Sequence, residues 1–471
     1  TFRSDTFLQQ VHERHPFVFV WDDHEYSDDC HGATSTYSAG LSDETNVARR
    51  RNAEQVYFEY IPFALPDRVA GPIDVESLPK FPDTRIYRDL GFGKHLRLLV
   101  ADHRTYRPDH LVPEDAYPAA IVMPEEALRA ANLTGQFASD QFAYVDIDAP
   151  EYAIQKVLLS LAYQQMAREA GLDKSAAEEK AALVVKGPLA LFYVNAVLTN
   201  PTLGLAPIDP SGKPRGLAWV HMGKRDPFAA APGARYVVVK DAYDAYAAYQ
   251  YAATEGKNQD VHGPLQTAWL EGALGASETW KVLVSSVSMT SMVFDLREKT
   301  DLPDPFLRNR FYLNVDQWDG FPDRRRALLD KLAAPSAGKT MVVSGDIHAS
   351  FASVEHGVPC LTSPAISSQS VRSGAAGIAS ALQFDPSTPI YRYVVTDIDA
   401  SFAAGNPGIV FSDSDSHGFL LVELQADGAK ATFHLIPSAE VNTSYAVRPA
   451  DLRAKVTTKT MNVTPGSITG A

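Results

Sequence analysis

The feature that most constrains this chain is a short apolar run ending abruptly in metal-ligand side chains: Met341-Val342-Val343, then Ser344, Gly345, Asp346, Ile347 and His348. A run without polar alternation predicts a parallel strand covered on both faces, because a half-solvated strand would alternate. Phe17 to Val20 predicts a second such strand, ending in Trp21-Asp22-Asp23-His24-Glu25. Open α/β sheets collect functional groups at the carboxyl ends of their strands. Two ligand clusters on two strand ends therefore predict one shared metal site.

The surrounding pattern supplies the rest of such a sheet. Leu96 to Asp102 and Lys281 to Val287 read as further strands, each ending in polar groups. Helical spacing over Asp5 to Arg14 stops at Pro16. A second helix, with Asp43 and Glu44 at its favourable amino end, runs through Val47, Val56, Phe58 and Tyr60. Leu265 to Leu274 and Arg324 to Leu332 predict helices between or before strands, so the fold class is α/β (α+β), a layered sheet with helices on both faces. Towards the carboxyl end, Val394-Val395, Phe419 to Val422 and Ala431 to His434 predict short antiparallel strands of a second sheet. The stretch from Pro150 to His262 differs, with Ala-rich helices and a tyrosine series. The expected division is core 1–149, insertion or cap 150–262, and core 263–471. Tyr243, Tyr246 and Tyr249 share one helix face, which favours packing over substrate stacking.

Composition removes several function classes. A formal charge of −14 without a Lys/Arg stripe argues against a nucleic-acid partner, and Arg49 to Arg51 and Arg324 to Arg326 read as solvated helix faces. Two cysteines, Cys30 and Cys360, exclude a disulfide scaffold and leave one optional bridge. No apolar segment is long enough to span a bilayer. There is no G-x-S-x-G elbow and no paired Cys-x-x-Cys, and Gly338-Lys339-Thr340 stands alone rather than in a phosphate loop.

Carboxylates and neutral imidazoles suit hard and borderline cations. Asp346 and His348 lie two apart, sharing a face on a regular strand or converging through the turn that Gly345 permits. Asp102 reads either as a metal contact or as part of a structural ion pair with Arg104 or Arg107, and Arg104 alternatively as a bidentate phosphate clamp. His417 faces either the cluster or solvent. Asp28 and Asp29 could serve calcium or could be ordinary turn acids, since calcium needs six or more oxygens. Ser367-Ser368 reads as a Ser-rich turn and Trp318 as a packing aromatic.

Four ordered motifs, Trp21-Asp22-Asp23-His24-Glu25, Asp102-His103-Arg104-Thr105-Tyr106-Arg107, Gln317-Trp318-Asp319-Gly320 and Ser344-Gly345-Asp346-Ile347-His348, give the chain its resemblance. It resembles the PhoD-type alkaline phosphatase and phosphodiesterase family of calcineurin-like metallophosphatases. The resemblance implies a two-sheet β-sandwich flanked by helices, with metals at the strand ends that hydrolyse phosphate mono- or diesters through an activated hydroxide. It implies Asp23, Asp346 and His348 as metal ligands, with Asp22 and Asp102 as further candidates. His24 and Arg104 would be catalytic, His24 stabilising the phosphoryl group or protonating the leaving oxygen. The implied cofactors are ferric iron with calcium or another divalent metal. The implied location is periplasmic, secreted or cell-surface.

One departure carries its own expectation. In the family a metal-binding loop with a Cys ligand and a Gly-Asp-x-x-Tyr block precede the Trp-Asp-Asp-His-Glu block, whereas Thr1 stands about where both should have ended. The resemblance thus implies a site completed by an upstream segment, in cis or as a separate amino-terminal fragment. The competing readings are phospholipase-D-like diester cleavage on the same cluster, and a catalytically silent metal- or phosphate-binding remnant.

Overall fold

In the computed structural model, residues 4–35, 44–61, 74–113, 116–138, 141–169, 171–200, 205–223, 235–381 and 384–470 are described. The largest sheet uses strands β1 (Arg88–Phe92), β2 (Leu96–Val100), β3 (Trp280–Ser285), β4 (Lys339–Ser344), β5 (Ser350–Glu355), β6 (Val358–Thr362) and β7 (Ile409–Asp413). Their spatial order is β7-β5-β6-β4-β3-β2-β1. The central four strands, β6, β4, β3 and β2, run parallel, and the outer pairings are antiparallel. Register matters most for function. Ser285 pairs with Ser344, Ser344 with Thr362, and Val284 with Val100, so the parallel strands end in line and release their loops on one edge.

A second sheet of four antiparallel strands, β8 (His417–Leu424), β9 (Ala429–Ile436), β10 (Thr457–Thr464) and β11 (Ser467–Gly470), covers one face of the first. Trp280, Val282, Met341, Ala352 and Leu361 meet Ala431, Phe433, Leu435, Met461 and Val463 between the layers. The opposite face packs Leu99, Leu283, Val342 and Cys360 against helices α1 (Gly263–Leu274) and α2 (Pro322–Ala333), through Leu270, Leu274, Leu328 and Leu332. Met341 and Val342 thus face opposite layers, both fully buried, which explains why that run lacks polar alternation. Each such side chain contributes roughly 1.5–3 kcal/mol of burial. The architecture is the expected two-sheet sandwich with flanking helices.

Several expectations need correction. Phe17 to Val20 is not a strand; the segment is extended without a ladder, Phe17 and Val18 are exposed, and Phe17 stacks on His12. Its visible tie to the large sheet is an Arg88 Nη2 hydrogen bond to the Phe19 carbonyl, so four apolar residues without a pairing neighbour did not make a strand. Val394 and Val395 lie in the helical segment Arg392–Thr396, Val395 buried and Val394 packed against the hydrophobic cluster that includes Phe402. There β-branched residues serve packing rather than a ladder. The second predicted helix is Val47–Tyr60, capped by Asn46 rather than by acids at its start, and Asp43 lies outside the described residues. Tyr243, on the helix Lys240–Ala253, is fully buried with its hydroxyl donating to the Gly320 carbonyl, and Tyr246 meets Trp219 edge-on. The tyrosine stripe is packing. Cys30 and Cys360 are both buried and free. Among the described residues no helix is long and apolar enough to cross a membrane.

Candidate metal centre

The loop after β4 is the most unusual backbone at this edge. Asp346 and His348 both adopt positive φ, 69° and 56°, a region that costs a non-glycine residue energy and persists where surrounding contacts enforce it. His348 Nδ1 donates to the Gln369 carbonyl at 2.7 Å, leaving Nε2 as the acceptor nitrogen, the posture of a metal-ligating imidazole. Gln317 holds Asp346: its Nε2 donates to the carboxylate, while its Oε1 accepts the Ser288 N–H at 2.8 Å.

Although Phe17 to Val20 forms no strand, the turn that follows reaches the same edge. Tyr26 and Ser27 N–H groups donate to the Asp23 carbonyl, winding 23–27 into a tight turn, and Asp29 N–H donates to Asp23 Oδ2 at 2.8 Å. Asp22, Asp23 and Asp346 each offer an oxygen within 4.8 Å of the others. Asp23 Oδ1 is buried and has no hydrogen-bond partner. Burial, then the charges of Asp22 and Asp316, against the pull of Arg104, push Asp23 up to about 6. Asp346 is pushed well above the usual carboxylate range, first by burial and then by Asp22. Carboxylates crowded together, with a buried orphan oxygen among them, form a donor set suited to a hard cation; His348, two residues beyond Asp346, joins none of the ligand groupings among the described residues.

Arg104 is not a free phosphate clamp here. Its side chain is fully buried, with Nε and Nη2 donating to the two oxygens of Asp22 at 2.8 and 3.0 Å, and Nη1 and Nη2 to those of Asp316 at 2.9 and 2.7 Å. Asp22 tends upward through burial, but the charge and hydrogen bonds of Arg104 outweigh this and hold it below its ordinary range. The structural ion pair expected of Arg104 exists, with Asp22 and Asp316 rather than Asp102 as its partners. Asp102 caps its own loop, Oδ1 accepting from Trp21 Nε1 and from the N–H groups of Arg104 and Thr105 at 3.0 to 3.1 Å. Among the described residues it joins none of the acidic or imidazole groupings.

His24 is solvent-exposed, its Nε2 3.7 Å from Asp28 and 4.0 Å from Asp23. His417 is buried with Nε2 donating to the Ser368 carbonyl at 2.7 Å. Asp28 is exposed, whereas Asp29 is buried 3.3 Å from Arg235. Trp318 packs in the core and donates to Ser285 Oγ at 3.0 Å. Sequence reading missed Asp316, which accepts from Arg104, from Arg107 Nη1 at 3.0 Å and from His110 Nε2 at 2.6 Å. Its only local signal was its place after the apolar run Phe311 to Leu313, one residue before the Gln317 motif.

Two cavities flank the centre. One, of about 320 Å³, is walled by Phe294, Phe311, Ile347, Val371 and Ala375, with His348 among its lining residues. The other, of about 570 Å³, lies between the two sheets, where Asp22 and Asp346 join Leu98, Val282, Val343 and Leu420.

The sequence model of PhoD-like phosphatases matches residues 1–148 and 235–433. Alkaline phosphatase D of Bacillus subtilis (strain 168) is 35% identical over 108 residues, covering 23% of this chain and 16% of that protein. A solved structure described as "Structure of PhoD" aligns with a TM-score of 0.48 at 15% identity, covering 100% of this chain and 57% of that one. The present chain therefore spans little more than half the length of that relative.

Proposed function

Because the chain belongs to the PhoD-like phosphatase family, we propose that it is a metal-dependent phosphoesterase acting on phosphate monoesters or diesters at the strand-end edge. The observation that carries this reading is the convergence of Asp22, Asp23 and Asp346 with too little positive charge to neutralise them. Asp23, Asp346 and His348 would hold the cations, with Asp22 fixed beside them by Arg104. Bound there, the cations would supply Lewis acidity towards the phosphate and towards an attacking water. The mixed donor set is compatible with the ferric iron and calcium of the family resemblance, imidazole suiting iron and carboxylates suiting calcium. His24, exposed beside Asp23, is placed to meet a substrate from solvent and protonate the leaving oxygen. Arg104 acts through Asp22 and is a positioning residue. The family match omits 149–234, which supports reading most of the 150–262 segment as an insertion.

Diester cleavage of the phospholipase-D type is the second reading, favoured by the apolar 320 Å³ chamber next to His348, which has the size and lining of a pocket for an apolar substituent. Hydrolysis of p-nitrophenyl phosphate, bis-p-nitrophenyl phosphate and phosphatidylcholine by the metal-loaded chain, with metal content measured in parallel, separates the readings. Turnover of a p-nitrophenyl ester supports the first, and preference for phosphatidylcholine the second. A chain that binds metal yet cleaves none of the three removes both and leaves the silent remnant.

A further inference from the structure

A second group of ligand-type side chains lies outside the Asp22–Asp23–Asp346 centre. His31, in the turn before Thr34, and the adjacent pair Asp109 and His110 each offer one ligand atom, all within 4.8 Å of one another. His31 Nδ1 is 3.6 Å and His110 Nδ1 3.5 Å from the same oxygen, Asp109 Oδ1. These distances exceed those of a hydrogen bond between such atoms, about 2.7–3.2 Å. They come close to the roughly 3.3 Å separating two ligands held about 2.0–2.1 Å from one tetrahedral ion.

The second observation concerns the nitrogens themselves. His110 is fully buried, and its Nδ1 has no hydrogen-bond partner; His31 Nδ1 is likewise buried and unpartnered. A buried polar atom without a partner is costly, and two aimed at one carboxylate are not explained by chance packing. The other nitrogen of His110 is 2.6 Å from Asp316, the carboxylate–imidazole pairing that orients a ligating histidine. The neighbouring cations have their own partners: Arg107, whose Nη2 also lies 2.8 Å from His110 Nε2, pairs with Asp316, and Arg235 with Asp29. Asp109 Oδ1 accepts the His110 N–H at 2.6 Å and keeps a lone pair for an ion, and its side chain is 45% exposed, which provides an entry path.

We propose that His31, Asp109 and His110 form a site for a divalent transition metal of the zinc type, with solvent at a fourth position. Two imidazoles and a carboxylate are a zinc ligand set. The ion would tie the 28–35 turn to the 107–112 loop. Through His110, Asp316 and Arg104 it would also steady Asp22 at the neighbouring centre.

The test uses the full chain, stripped with chelator and titrated with zinc alone, then with cobalt as a spectroscopic substitute. Wild type should take up one more zinc per chain than Asp109→Asn or His31→Gln, with unchanged circular dichroism. Either substitution should weaken the extra site by about 100-fold or more, at or beyond the loss of an outer-shell partner. The cobalt-loaded wild type should show a tetrahedral absorption band that Asp346→Asn retains and Asp109→Asn loses. Equal zinc uptake by wild type and Asp109→Asn, no uptake by wild type, or loss of the band in Asp346→Asn alone would each overturn the site.

Discussion

Asp316, buried, and Asp346, half-buried, lie beside the same acidic centre, and the protein treats them oppositely. Asp316 is surrounded by Arg104, Arg107 and His110, which overcome its burial and hold its carboxyl far below the ordinary range. Asp346 has Asp22 and Asp23 for neighbours and accepts from the neutral amide of Gln317, so it is pushed upward. Burial acts in the same direction on both; local countercharge decides. The neutralised aspartate ties Arg104, Arg107 and His110 together, and the un-neutralised one is the residue proposed above to meet a cation.

Breaking the neutralised side should have the largest consequence for folding. Asp316→Asn strands Arg107 in the interior and leaves Arg104 with Asp22 as its close carboxylate partner, and loss of one partner from a buried ion pair costs about 3–5 kcal/mol. Urea denaturation should show this, while Asp346→Asn in metal-free protein should unfold at or above the wild-type midpoint. Similar losses for the two would erase the distinction.

Activity should invert that order. Asp346→Asn or His348→Ala is expected to reduce hydrolysis by more than about 100-fold, beyond the cost of an outer-shell change, and to lower metal content with the fold retained. Near-wild-type turnover and metal content in either variant would remove these residues from the centre.

His24→Ala sharpens the boundary between holding metal and using it. Turnover should fall by roughly 100-fold or more with metal content unchanged, since the imidazole is assigned a proton-transfer role. Parallel loss of metal would make His24 a ligand instead.

The smallest effect is a pH slope in metal-stripped protein. Asp23 holds its proton up to about 6 when folded, against an ordinary value of 3.8. Between these values the folded state binds more protons than the unfolded one, so this group makes stability fall as pH rises, by on the order of 1 kcal/mol. Asp22 and Asp316 act in the other direction: their stabilisation is present above their unfolded value and is lost as pH falls below it. A metal-free midpoint that climbs steadily from about pH 4 to 6 would show Asp23 to be neutralised as well as Asp316 is.

Much of the scaffold was legible in the chain. Met341 to Val343 proved a central strand because both layers it separates are apolar, and the helices around Leu265 and Arg324 formed, although both pack on one face of the sheet, the other being covered by the second sheet instead of by helices as expected. Phe17 to Val20 failed because apolarity selects burial or packing, whereas a strand also needs a partner with free backbone groups. Asp22 and Asp23 still reached the edge, delivered by a turn instead of a ladder. Arg104 was read as a choice between clamp and ion pair; its actual partner Asp316 is 212 residues away, and no local spacing encodes that.

The sequence by itself determined which residues could ligate a cation and that two of its motifs would sit at loop positions near strand ends, because strand periodicity and turn chemistry are local properties. Only the tertiary structure decided which carboxylates keep their charge free. That balance is a sum of burial and Coulomb interactions among groups such as Asp22, Arg104 and Asp316, which are neighbours only once the turn at Asp22, the loop after β2 and the segment after Arg310–Asn314 have folded together.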